Sequence, residues 1–242
     1  MPRPKRSFAQ IEATKEQIIE EALNLMTCHG FDGFSMRKLG SRLGVSAKTI
    51  YNYYQNKDEL YLIILTRGFE QLFNRFNNVY NTHHDPIKRL KNMGSEYLAF
   101  GLEHSNLYNL MFTWHVPKFK DYVGTPMEPV AQSELEAALK VADIFIRAIV
   151  EASVETSGEA SDQEKMFENT ARFHMIWMWS QMHGFIAGIN NTLLDYMHTN
   201  PLSLKEKIIN QIFDQFEYQL KKGNSGENIY PIHRITPVLP KQ

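Results

Sequence analysis

Apolar residues recur along most of the chain at spacings of three and four, the period of helices that bury one side. Between Thr14 and Cys28, Ile18, Ile19, Ala22, Leu23, Leu25 and Met26 share a broad apolar side, and His29-Gly30 supplies a glycine stop. Ser35 is placed to cap a short second helix, Met36–Leu43, which Gly44 closes because glycine takes left-handed backbone without steric cost. Ser46 follows at once as the cap of a third helix, Ala47 to about Tyr54. Two short helices joined by Gly44-Val45-Ser46 predict a helix-turn-helix. Asn56-Lys57-Asp58-Glu59 then has the pattern of a capping box. It opens a long fourth helix in which Leu60, Ile64, Phe69, Leu72, Phe73, Phe76 and Tyr80 keep helical spacing.

The rest of the pattern is also helical. Asp85-Pro86 pairs an N-cap with a proline at the first helical position, predicting a helix to about His104. Ser105 starts another, Asn106–His115. Val116–Pro129, with its prolines and Gly124, predicts a loop. Leu135, Leu139, Ala142, Ile146 and Ile149 mark a helix that ends before Ser157-Gly158. From about Asp162 to Leu194 the chain is apolar on more than one side, as in a central helix or one buried in a subunit contact. Ser203 is placed to cap the last helix, whose stripe runs through Leu204, Ile208, Ile209, Ile212, Phe213, Phe216 and Leu220. After Gly223, Pro231, Pro237 and Pro240 mark a non-helical tail. With no convincing strand and no repeat, the expected fold is all-α. It comprises an N-terminal arm and helix-turn-helix domain over residues 1–60, a helical bundle over 61–223 and a tail over 224–242.

A chain of 242 residues with 43% hydrophobic content can fill a core without staples. Cys28 has no intrachain disulfide partner, and the basic, prolyl start lacks the apolar stretch of a secretory signal, so a cytoplasmic location is expected. No apolar run reaches the roughly 20 residues of a membrane span, and no membrane partner is expected. Net charge is only −1, but its distribution is uneven. Arg3, Lys5 and Arg6 form one acid-free basic segment, and Arg37, Lys38, Arg42, Lys48 and Lys57 lie in another that brackets the helix-turn-helix. Clustered cations beside such a motif point to double-stranded DNA, whereas the sum of charges alone points nowhere.

The stretch Ile18–Leu65 resembles the DNA-binding domain of the TetR family of transcriptional regulators. The resemblance rests on Gly30-Phe31, Ser35-Met36-Arg37, Leu43-Gly44-Val45-Ser46, Thr49-Ile50-Tyr51-x-Tyr53-Tyr54 and Lys57-x-x-Leu60. Tyr54 stands where the family usually has Phe, and Asn52 where His is common. Downstream, Tyr108-x-Leu110-Met111-Phe112 and Trp179-x-x-x-His183-Gly184 are similar to C-terminal TetR-type domains marked by a Trp-His-Gly pattern. The family implies a homodimer on a palindromic operator. It also implies that the last two helices pair with their symmetry mates, with the Ile208, Ile212, Phe216 and Leu220 stripe as the expected contact.

A third helix in the major groove presents its first residues to base edges, so Lys48 can bond guanine and Thr49 can set its methyl against thymine. Ser35, Arg37, Ser46, Tyr53 and Lys57 are the phosphate candidates, and the family supports Tyr53 and Lys57 in particular. The Pro2–Arg6 segment suits a minor-groove arm and a solvated tail equally. In the bundle, Tyr97, Phe100, Met111, Phe112, Trp114, Phe145, Phe173, Trp177 and His183 are candidates for lining a pocket for a small apolar or amphipathic organic effector. Helical periodicity equally allows them to be packed core. Gly184 and Gly188 would let another backbone come close.

Catalytic signatures are absent: His83-His84-Asp85 lacks zinc-site spacing, Cys28 lacks a nucleophile context, and no phosphate-cradling loop, HExxH or nucleophile elbow occurs. No metal or cofactor is expected. The reading is a ligand-relieved homodimeric repressor, with a regulator lacking a small-molecule effector, or an activator, as the alternatives.

Overall fold

The structure, a computed structural model, describes residues 7–157 and 164–223, so the basic arm Pro2–Arg6 and the proline-containing tail lie outside the described residues. Among the described residues there are helices and turns and no strand. Helix α1, Phe8–Gly33, starts earlier than its apolar side suggested because Ser7 and Gln10 cap reciprocally. Ser7 Oγ accepts the Gln10 N–H at 3.3 Å, and Gln10 Oε1 accepts the Ser7 N–H at 2.9 Å. Gly30, at φ 70°, interrupts α1 where the glycine stop was expected, and one more turn follows.

The head is completed by α2, Met36–Arg42, and α3, Ala47–Tyr51, which stops short of the expected Tyr54. The long α4 spans Lys57–Thr82. Each start has the predicted side-chain cap: Ser35 Oγ takes the Lys38 N–H at 3.3 Å, Ser46 Oγ that of Thr49 at 3.2 Å, and Asn56 Oδ1 that of Glu59 at 2.8 Å. The carboxylate of Glu59 reaches back to the Gln55 N–H rather than to that of Asn56, a displaced form of the capping box. Gly40 is required by contact: a Cβ there would stand 2.8 Å from the Val45 carbonyl oxygen and 3.0 Å from Ala47 N. Only glycine lets α2 press this closely on the turn that launches α3.

The body comprises α5, Pro86–Glu103; α6, Ser105–Tyr108; α7, Phe119–Tyr122; α8, Glu128–Ser157; α9, Glu164–Asn190; and α10, Lys205–Gly223. Asp85 caps α5 as expected, its Oδ1 accepting the Lys88 N–H at 2.9 Å. Helix α6 runs directly into a π-turn, Asn109–Thr113, and the predicted loop Val116–Pro129 holds the single-turn α7 and the start of α8. Helix α4 is the spine, packed on α1 at its head end and on α5 and α8 along its length. Arg67 of α4 bonds both carboxylate oxygens of Glu16 in α1 at 2.7 Å. At the other end Glu151 of α8 takes the Tyr80 hydroxyl and pairs with Arg89, whose guanidinium covers the Tyr80 ring.

Three expectations need correction. Ser203 does not cap α10: its hydroxyl bonds the Asn200 carbonyl at 2.6 Å inside a 3₁₀ turn, Pro201–Leu204, that leads into the helix. Leu139 is outside the α8 core stripe, 51% exposed, and Val141, Ile144, Phe145 and Ala148 are buried instead. Of the α10 stripe expected at a subunit contact, Ile212 and Phe216 are already buried within the protomer, while Ile208 and Leu220 are half-buried. Ile209, Ile212, Phe213 and Phe216 are buried within the protomer, with Phe213 against Gly94 of α5 and Phe216 edge-on to His174 of α9. The outward side of α10 carries Glu206, Asn210, Gln211, Asp214 and Gln215.

Candidate nucleic-acid interface

The caps that build α2 and α3 also spend their hydroxyls. Ser35 and Ser46 hold helix N-termini, and Ser46 Oγ lies 3.0 Å from the Thr49 hydroxyl. Arg37 and Lys48 are exposed, whereas Arg42 is drawn to Glu21 at 2.7 Å and Lys38 to the Gly33 carbonyl at 2.7 Å. Tyr53 is half-buried against the head core, and Tyr54 is buried beside it, where desolvation pushes its phenol up to about 12. At the first turn of α4, the Lys57 ammonium stands 4.2 Å above the Phe31 ring. The sequence reading passed over Tyr51, 53% exposed and one helical turn beyond Lys48. Its place three residues on from that lysine was the available signal.

In the body, a hydrogen-bonded chain runs through an aromatic box. The Tyr108 and Tyr97 hydroxyls are 2.8 Å apart, and the Tyr108 hydroxyl is 2.6 Å from His183 Nδ1. Desolvation holds the His183 pKa below its usual range, which favours the neutral ring, and a neutral imidazole has one nitrogen that donates and one that accepts. The Tyr108 hydroxyl thus links the Tyr97 hydroxyl to the His183 ring. Trp179 stacks on His183 at 4.8 Å and 15°, and Phe112 lies within 6.5 Å of Tyr97, Tyr108, Trp179 and His183. Tyr97 and Tyr108 are buried, while Phe112, Trp179 and His183, packed on them, are half-buried.

The residue pattern Ile18–Ile64 matches the family described as bacterial regulatory proteins, tetR family, and residues 90–199 match the tetracyclin repressor-like C-terminal domain. The chain belongs to the TetR family. It is 23% identical over 190 residues, 76% of this chain and 95% of the other, to IcaR of Staphylococcus epidermidis, named the negative transcriptional regulator of the biofilm operon icaADBC. It is 27% identical over 126 residues, 52% of this chain and 51% of the other, to the transcriptional activator FasR of Mycolicibacterium smegmatis. Solved structures that share its fold include two with bound acyl-CoA. FadR of Bacillus subtilis in complex with stearoyl-CoA has a TM-score of 0.60 at 13% identity, covering 82% of this chain and 97% of that one. AibR with isovaleryl coenzyme A and operator DNA has 0.59 at 14%, with the same coverages.

This TetR-family regulator brings only part of the expected effector set together. Tyr97, His183 and Phe112 meet in the box, joined by Tyr108 and Trp179, which the sequence reading had quoted as family marks without assigning to the pocket. Phe100 is fully buried with the Arg75 guanidinium over its ring, Phe145 packs on Phe76 at 5.6 Å, and Met111 closes on Gly68. Trp114 and Trp177 are half-buried against the core. Phe173 faces outward, 46% exposed. An open groove of about 500 Å³ runs between α4 and α8, past Ile63, Thr66, Arg67, Pro129 and Val130, and touches none of the expected residues. Among the described residues no three His, Cys, Asp or Glu are grouped to hold a metal, and no helix is long and apolar enough to cross a membrane.

Proposed function

We propose that this DNA-binding transcriptional regulator is a homodimeric repressor that leaves a palindromic operator when an amphipathic acyl compound enters its body. The observation that carries the effector reading is the aromatic box: aromatic rings around the hydrogen-bonded Tyr97, Tyr108 and His183, with Phe112, Trp179 and His183 half-buried. Pockets of this make-up suit a ligand with an apolar body and few polar groups. The fold neighbours that hold stearoyl-CoA and isovaleryl-CoA support an acyl-CoA thioester as the class, and the IcaR relative supports the negative sign. In the head, Arg37, Lys48, Thr49, Tyr53 and Lys57 meet the DNA, with Ser35 and Ser46 presenting capped helix ends to phosphates.

The dimer face is the outward side of α9, where Phe173 and Ile176 are 46% and 56% exposed and Gly184 leaves open space for a second backbone. The test is fluorescence anisotropy on duplexes that the protein selects from fragmented genomic DNA, titrated with short- and long-chain acyl-CoA thioesters. Release of DNA by one chain-length class is expected. Failure of every acyl-CoA and free fatty acid to change DNA affinity would overturn the effector reading. A promoter reporter carrying the selected site reads the sign of regulation, since the FasR relative is an activator.

A further inference from the structure

Between the aromatic box and the head lies a strap, residues 114–127, that connects the π-turn to α8 and packs on the first turns of α4. Its hold on α4 is specific. Tyr61, fully buried, donates its hydroxyl to the Pro117 carbonyl at 3.0 Å, Tyr122 donates to Asp58 Oδ1 at 3.0 Å, and the Asn56 amide lies 3.5 Å from Met127 Sδ. The body end of the strap is fastened as well, since Lys118 Nζ bonds the Met111 carbonyl at 3.3 Å inside the π-turn. On its other side the Tyr61 ring stands edge-on to Phe31, 4.9 Å between centroids, and Phe31 is the platform under the Lys57 ammonium. Lys57 and Tyr61 are four residues apart on one helical face, and both contact the Phe31 ring, the cation over it and Tyr61 edge-on.

We propose that Tyr61 is the positioning residue for Lys57, its hydroxyl bond to Pro117 fixing the ring that orients Phe31 and thereby the cation presented to a DNA phosphate. The strap is then the element through which the body sets the head, in addition to any tilt of α4. A buried tyrosine in a helix needs no hydroxyl to fill space, and this one spends its proton on a backbone carbonyl in a segment remote in sequence. With the bond cut, the Phe31–Tyr61 pair relaxes and Lys57 loses its fixed position. The inference rests on the reading of Lys57 as a phosphate contact.

The test is a double-mutant cycle on the full chain, with a duplex selected by the wild-type protein from fragmented genomic DNA as the probe and affinity measured across salt concentration. K57A should weaken binding and flatten the dependence of log K on log salt by about 1.8, since a dimer loses two phosphate contacts at roughly 0.9 each. Y61F should weaken binding on the order of 10-fold for the dimer and flatten the same slope. Y61F combined with K57A should be no weaker than K57A alone. A misfolded fraction would lower the number of active sites and leave the slope untouched. F31L, which removes the platform by another route, should also flatten the slope and add nothing to K57A. Additive losses, or an unchanged slope in Y61F and F31L beside a flattened one in K57A, would overturn the role of Tyr61 and leave the phosphate contact standing. An unchanged slope in K57A itself would remove the contact and the proposal together.

Discussion

Gly40→Ala is the sharpest probe of how the head is assembled. Its added methyl would meet the Val45 carbonyl oxygen at 2.8 Å, Ala47 N at 3.0 Å and Ser46 C at 3.1 Å, all of them backbone atoms that no rotamer change can withdraw. To restore ordinary contact, α2 and the turn must part by about half an ångström, and such overpacking costs about 1–3 kcal/mol. Helix propensity returns up to about 1 kcal/mol when alanine replaces glycine, so the net destabilisation expected is up to about 2 kcal/mol. The larger effect should be on DNA. The displaced turn carries Ser46 and the start of α3, so Lys48 and Thr49 shift in both heads of a dimer. A misplacement costing about 1 kcal/mol per head weakens operator binding roughly 30-fold. Urea denaturation gives the first quantity and anisotropy on selected duplexes the second. A Gly40→Ala protein with wild-type urea midpoint and wild-type DNA affinity would refute the close-contact reasoning.

Ile212→Asp should yield an unfolded or aggregated chain, not a folded monomer, because Ile212 is 2% exposed inside the protomer and an unpaired carboxylate there costs several kcal/mol; circular dichroism with size-exclusion chromatography distinguishes the two. Ile176→Asp, on the outward side of α9 at 56% exposure, should instead keep the fold and dissociate the dimer in sedimentation. Desolvation lowers the pKa values of both His174 and His183, so below about pH 6.5 the unfolded chain binds more protons than the folded one. Stability is therefore full above that pH and falls as pH drops towards the folded-state values; the urea midpoint should be lower at pH 5.5 than at 7.5, and His174→Phe should shrink the difference. Tyr108→Phe leaves His183 Nδ1 and the Tyr97 hydroxyl without their partner, at about 1–3 kcal/mol, and a variant as stable as wild type in urea would show that the chain of hydroxyls contributes nothing.

The head was legible residue by residue because its determinants are local. Ser35, Ser46 and Asn56 cap helices whose N–H groups lie three residues away, and Gly44 supplies the left-handed turn at φ 66°. Nothing beyond a few neighbours in sequence enters those choices. The body was legible as helices but not as an arrangement. An apolar stripe says that a face is buried, never against what. The α10 stripe satisfied the periodicity of a subunit contact, yet α5 and α9 of the same chain take its Phe213 and Phe216, while the exposed Phe173 and Ile176 were hidden in a segment apolar on several sides. Leu139 fits the α8 period by spacing and is nonetheless left exposed, while Val141, Ile144 and Phe145 take the buried side. The bonds that give the molecule its character join residues far apart in sequence. Tyr108 meets His183, Tyr61 meets Pro117 and Glu151 meets Tyr80, and each pairing exists only once the helices have been laid against one another. Sequence alone therefore determined that the chain is helical and, through Ser35, Ser46, Asn56 and Asp85, where α2, α3, α4 and α5 begin. The tertiary structure decided which apolar faces find each other, which hydroxyls are left inside, and what those hydroxyls hold in place, because burial strips away water and makes each polar group take the partner that packing puts within reach.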